Sequence, residues 1–295
     1  MSKKTISKTK ADLGLLSVTV FWGTTFIVSK LVLTEISLIN YLTIRLSIAA
    51  LVMNIIAFKF RKLINIKILI AGSILGIILF ISYVFQMWGI QFTSASNAGF
   101  ITGVSVVLVP IFSLMIFNLK PQLTSILGVG LAFIGLFLMS GTSFTNLNIG
   151  DVLVFVCSIA VAFHVLFTGK FAPKYNIYLL TAIQLTTTSI LSIFLSLLTK
   201  NNFVEISWNI FWVLTYLALF GTVYTFLMQT AMQRFTTATR TALVFTMEPV
   251  FAALFAFIIA GETMSVLGWI GGGFILTGML IAEIKWNRKD ESFKS

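Results

Sequence analysis

Charge is what this sequence has least of. Asp, Glu, Lys and Arg make up 10% of its 295 residues and hydrophobic side chains 58%, so there is too little polar side chain to cover a water-soluble surface. A soluble domain of any size is excluded. Cysteine and histidine occur once each, as Cys157 and His164. A lone thiol in an apolar run builds neither a disulfide framework nor a metal cluster, and a single imidazole makes no zinc motif. No phosphate-cradling glycine loop or Walker-type lysine is present, so neither direct ATP coupling nor any cofactor or metal is expected. An intramembrane enzyme would need a nucleophile with its base, or a ligand set for a metal; the sequence offers neither, and the chain reads as non-enzymatic.

What is present is a succession of apolar runs. Ten are long enough to cross ~30 Å of hydrocarbon at ~1.5 Å per residue: 12–33, 38–58, 68–91, 95–117, 123–141, 149–171, 178–199, 208–233, 240–260 and 265–285. The first is too long for a signal-peptide core and is expected to remain as a span. The breaks carry Asn, Ser, Thr, Lys or Pro, as in Asn65-Ile66-Lys67 and Lys120-Pro121. The fold class is therefore an all-α polytopic membrane protein.

Basic residues orient it. With the N-terminus inside, the cytoplasmic segments collect Lys3, Lys4, Lys8 and Lys10; Lys59, Arg61, Lys62 and Lys67; Lys120; Lys170 and Lys174; Arg234 and Arg240; Lys285, Arg288, Lys289 and Lys294. Of the 20 basic residues only Lys30, Arg45 and Lys200 fall elsewhere, and one miscounted span would put every later basic loop on the wrong side. Both termini are expected in the cytoplasm. The net charge of +11 then follows from topology and anionic inner-leaflet lipid, with no nucleic-acid partner.

The halves repeat. Gln86, Phe92 and Thr93 recur as Gln229, Phe235 and Thr236, Tyr83 falls opposite Phe226, and Gly128 and Gly135 recur as Gly271 and Gly278. Pro110 and Pro249 share a second, shorter spacing with Arg45 and Gln184. Five spans per repeat is an odd number, so the second repeat must begin on the opposite face. Two inverted five-helix repeats result, 12–141 and 149–285, with cytoplasmic tails at 1–11 and 286–295. Such architectures carry a site near the midplane between the repeats.

Phe21-Trp22-Gly23-Thr24-Thr25-Phe26 in the first span, Glu248-Pro249-Val250-Phe251-Ala252-Ala253 in the ninth, Gly261-Glu262 after it and the glycine-spaced last span resemble the EamA-type transporters of the drug/metabolite transporter superfamily. The likeness runs over about residues 12–285; Lys120-Pro121 stands where that family often has a Gly-Glu pair. The resemblance implies a secondary transporter in a bacterial-type plasma membrane. It would export or exchange small metabolites, amino acids or related amphipathic compounds, through a central cavity by alternating access. A channel, a lipid scramblase or a promiscuous drug-type exporter is the alternative, and the protein is a monomer or homodimer.

Candidate residues are the polar and aromatic groups inside spans. An unpaired carboxylate at the depth of Glu248 costs a few kcal/mol, so it binds a substrate amine or a coupling proton, or else holds the proline break by a hydrogen bond. His164, with an ordinary pKa of ~6.5, is a second proton-coupling candidate or a neutral packing group. Arg45 binds a carboxylate, or tethers structure by reaching the interface or Glu262. Trp22, Thr25, Tyr83, Asn97 and Tyr224 offer apolar walls with polar handles, and Gln86 and Gln229 either line the site or bond between helices. Pro110 and Pro249 are the expected gating bends, and the glycines of spans 5 and 10 are packing positions, for a scaffold or a dimer face.

Overall fold

The computed structural model describes residues 8–93, 95–140, 148–200, 206–260 and 265–283, and all regular structure among them is helical. The polar breaks of the sequence act as caps, supplying oxygens to helix N–H groups that lipid would leave unpaired. Ser37 caps α2 (Leu38–Ala57), Asn65 caps α3 (Ile66–Gly89), and Asn176 caps α8 (Ile177–Leu198). Asn148 and Asp151 form a reciprocal capping box on α7 (Ile149–Phe171). The first helix, α1, covers Lys8–Val32.

Three expected spans are not single α-helices. The fourth is α4 (Ala95–Gly103) and α5 (Ser105–Phe117), parted at Val104. The eighth is α9 (Trp208–Ala218), a π-helical turn at Leu219–Tyr224, and α10 (Thr225–Met232). The ninth is α11 (Ala238–Phe245) and α12 (Met247–Ala260), parted at Thr246. Pro249 accounts for the last break, because its ring crowds the carbonyl one turn earlier and offers it no N–H. Pro110 instead lies within α5; there the chain parts next to Gly103, whose Cβ position is closed by Leu136 at 2.9 Å.

By length and composition eight stretches can cross a membrane, and α6 (Leu123–Ser140) and α13 (Val266–Glu283) are shorter apolar helices. Those two lie along each other, α2 lies along α8, α3 packs on α7 and α8, and α1 packs on α10 and α12. Without a hydrophobic drive between helices in lipid, close backbone approach has to supply contact. A Cβ on Gly128 would lie 2.5 Å from the Gly278 carbonyl oxygen, and one on Gly76 would lie 2.5 Å from that of Gln184. A Cβ on Gly23 would meet the Phe251 Cβ at 2.7 Å, so the two sequence motifs of α1 and α12 touch at that glycine.

Two apolar clusters result. One joins α2, α3 and α8 through Leu46, Met53, Leu75 and Leu180; the other joins α1, α5, α7 and α11 through Leu15, Val18, Val109, Leu166 and Leu243. Trp22 packs on both.

Candidate functional site

Where the clusters meet, a cavity of about 880 Å³, its mouth included, opens between α1, α2, α3, α4, α7, α10, α11 and α12. Trp22, Thr25, Tyr83, Gln86, His164, Gln229, Glu248 and Pro249 all line it. The aromatic wall is continuous. The Trp22 ring meets Phe226 at 5.7 Å and Phe245 edge-on at 4.9 Å, and Phe226 meets Tyr83 at 6.2 Å and His164 at 5.4 Å.

Two of the expected residues fall elsewhere. Tyr224 is on the far side of its helix, with its hydroxyl 2.8 Å from Ser17 Oγ and its ring against Phe21 at 4.9 Å. Residues two apart on a helix are ~200° apart, so Phe226 facing the cavity turns Tyr224 away. Pro110 is buried in α5 and outside the lining. The backbone of Asn97 lies in α4, but its side chain, like Glu262, lies outside the described residues.

The lining carries one cation and one carboxyl. Arg45 is 2% exposed and directs its donors at protein. Nε donates to Thr222 Oγ1 (3.0 Å), Nη2 to the Gly221 carbonyl (3.1 Å) and Tyr83 (3.3 Å), and Nη1 to the Tyr41 hydroxyl. Thr222 in turn donates to the Leu217 carbonyl at 3.1 Å. Arg45 therefore satisfies the π-helical turn from a neighbouring helix, which fits the tethering role.

The carboxyl is different. Glu248, in the first turn of α12, faces the cavity with no hydrogen-bonding or charged partner among the described residues. Gln229 is 1% exposed; its amide nitrogen donates to Gln233 at 3.1 Å, and its Oε1 has no partner among the described residues. His164 donates from Nε2 to Gln184 Oε1 at 3.2 Å. Gln86 reaches Thr102 at 3.5 Å, the limit of a hydrogen bond. The cavity thus holds polar acceptors that lack donors, enclosed by rings. Among the described residues no group of three or more His, Cys, Asp and Glu could hold a metal ion.

Sequence reasoning passed over Phe226, Phe245, Ser82 and Thr102, all in the lining. Phe226 had a signal, its repeat position opposite Tyr83. The other three had none.

The profile of the EamA-like transporter family matches twice, over residues 9–141 and 148–283. An uncharacterized transporter of Archaeoglobus fulgidus is 31% identical over 95% of this chain and 88% of its own length. The uncharacterized transporter YyaM of Bacillus subtilis is 25% identical over 94% and 96%. A protein solved by crystallography shares the fold with a TM-score of 0.77 at 14% identity, over 94% of this chain and 97% of that one.

Proposed function

Since the chain belongs to the EamA-like transporter family and is an integral multi-pass membrane protein, we propose that it is a secondary transporter of small amine-bearing metabolites, amino acids or related amphipathic compounds. The observation that carries this reading is the unpaired Glu248 carboxyl with the unpaired Gln229 oxygen inside an aromatic wall. Both are acceptors, and an ammonium group supplies N–H donors and a charge that ring faces attract. Arg45, its donors directed at protein, sets the wall rather than binding a ligand.

The mechanism is alternating access between two inverted repeats in the plasma membrane, with both termini cytoplasmic and export as the net direction. The double family match supports a duplication. So do the helix pairs: exchanging the halves turns the α3–α7 contact into the contact of α10 with α1, and leaves α6–α13 and α2–α8 paired as they are. Breaks at Val104 and Thr246, with Pro110 and Pro249 close behind, are the gating bends. Glu248 exchanges a proton for the amine, and His164, in the lining of the same cavity, is the second proton-coupling group.

Thermal unfolding of the detergent-solubilised protein with a panel of amines, amino acids, carboxylates and nucleobases tests the substrate. A ligand at ~100 times its Kd stabilises the folded state by ~2.7 kcal/mol. Amines and amino acids should raise the midpoint, Glu248→Gln should remove that rise, and counterflow should follow the same ranking. Protection by amine-free carboxylates, equal in parent and variant, would overturn the reading.

A further inference from the structure

Two contacts away from the cavity join the first helix of each half to the fourth membrane stretch of the other. Asp12, near the start of α1, holds Arg240 of α11 in a fork: Nε donates to Oδ1 and Oδ2 at 3.1 and 3.0 Å, and Nη2 to Oδ2 at 2.5 Å. Asp151, in the first turn of α7, accepts from Thr93 Oγ1 at 2.6 Å, and Thr93 stands two residues ahead of α4. The second Asp151 oxygen closes the capping box on the Asn148 N–H at 3.0 Å.

Asp12 and Asp151 are 139 residues apart, the same separation as Pro110 and Pro249 on the stretches they hold. The two aspartates are therefore counterparts under exchange of the halves, whereas their partners sit on equivalent stretches at different positions, Thr93 recurring as Thr236, four residues before Arg240. Neither is a loose surface pair. The Asp12 and Arg240 side chains are 12% and 18% exposed, and Asp151 and Thr93 are 4% and 9%. The helices close up beside each contact: a Cβ on Gly150 would lie 2.7 Å from the Gly89 carbonyl oxygen, and one on Gly14 would lie 2.6 Å from the Met232 Cγ.

We propose that Asp12–Arg240 and Asp151–Thr93 are the two gate latches of the transport cycle, one at each mouth of the bundle, each parting when its own mouth opens. The proposal rests on the carrier reading above, in which the first and fourth stretches separate across the repeat interface. Their chemistry is unequal. The Asp12–Arg240 fork joins two ionised groups, whereas Thr93 brings a neutral hydroxyl to the Asp151 carboxylate. Removing the fork must shift the population toward the other orientation.

The labelling test needs no substrate. In a Cys157→Ala background, reporters Ala242→Cys beside Arg240 and Met87→Cys near the start of α7, both cavity-lining positions, are exposed to a membrane-impermeant maleimide. Right-side-out and inverted vesicles present the two faces separately. Asp12→Asn should raise labelling of the first reporter about five-fold from its own face and lower labelling of the second, a shift of modest size for a two-state equilibrium. Asp151→Asn should do the reverse. Exchanging the charges, Asp12→Arg with Arg240→Asp, should restore the parent pattern, which a packing role would not do. Should Asp12→Asn fail to fold, Arg240→Lys keeps the charge, loses the fork and must move labelling in the same direction. Unchanged labelling in the variants, or both reporters rising together, overturns the latches while the carrier reading stands. Absence of saturable counterflow in the parent overturns the carrier reading and the latches with it.

Discussion

Arg45 shows how one residue can be read two ways until its neighbours are known. A cation seven residues into α2 is costly in lipid unless it faces protein or water, and the sequence leaves open whether it waits for a carboxylate or ties structure together. Its fork answers to Tyr41, Tyr83, Thr222 and the Gly221 carbonyl, across α2, α3 and the π-helical turn. Lysine brings one nitrogen and no planar fork, so it cannot span those acceptors. Arg45→Lys should lower the thermal midpoint by an amount corresponding to ~1.5–3 kcal/mol, the worth of a hydrogen bond to a charged group. Amine protection should survive in the folded fraction. An unchanged midpoint would mean the fork holds nothing, and loss of protection at an unchanged midpoint would return Arg45 to the binding site. Trp22, Tyr83, Glu248 and Tyr224 are equally conspicuous in the sequence, yet only the first three line the cavity. Aromatic and acidic residues inside apolar runs advertise themselves, but the face each takes depends on helix phase.

At the scale of elements, apolar stretches were legible because lipid forces each backbone to satisfy itself, so composition alone marks a crossing. Their interruptions were less so. The break at Thr246 follows from Pro249, a local rule. The turn at Leu219–Tyr224 follows from groups on α2 and α3 that no local window contains. The glycines of α6 and α13 divide in the same way, since spacing marks them all as packing residues and only the structure sorts them. A Cβ on Gly128 would lie 2.5 Å from the Gly278 carbonyl oxygen, whereas Gly130, Gly272 and Gly273 face nothing within 4 Å. Overpacking of backbone against backbone costs ~1–3 kcal/mol, and an exposed helical Gly→Ala change gains up to ~1 kcal/mol. Gly128→Ala should therefore lower the thermal midpoint in detergent, and Gly273→Ala should hold or raise it. Equal effects at the two positions would show that α6 and α13 do not meet as closely as described.

For the whole molecule, the question is which way the halves face, and an odd span count decides it. If each repeat crosses five times, Asn65 between α2 and α3 and Ser207 before α9 lie on opposite sides, although both are polar caps on apolar helices. The basic residues agree, since Arg61, Lys62 and Lys67 cluster around Asn65 while only Lys200 lies near Ser207. The protein suits a direct measurement, because Cys157 is its only cysteine and is buried. New thiols at Asn65→Cys and Ser207→Cys would be read against a quiet background with an impermeant maleimide on intact cells. Ser207→Cys should react at once and Asn65→Cys only after permeabilisation. The reverse pattern would invert the protein and move both termini outside. Reaction of both from one face would remove a crossing from the span count between them, and with it the opposed repeats on which alternating access depends.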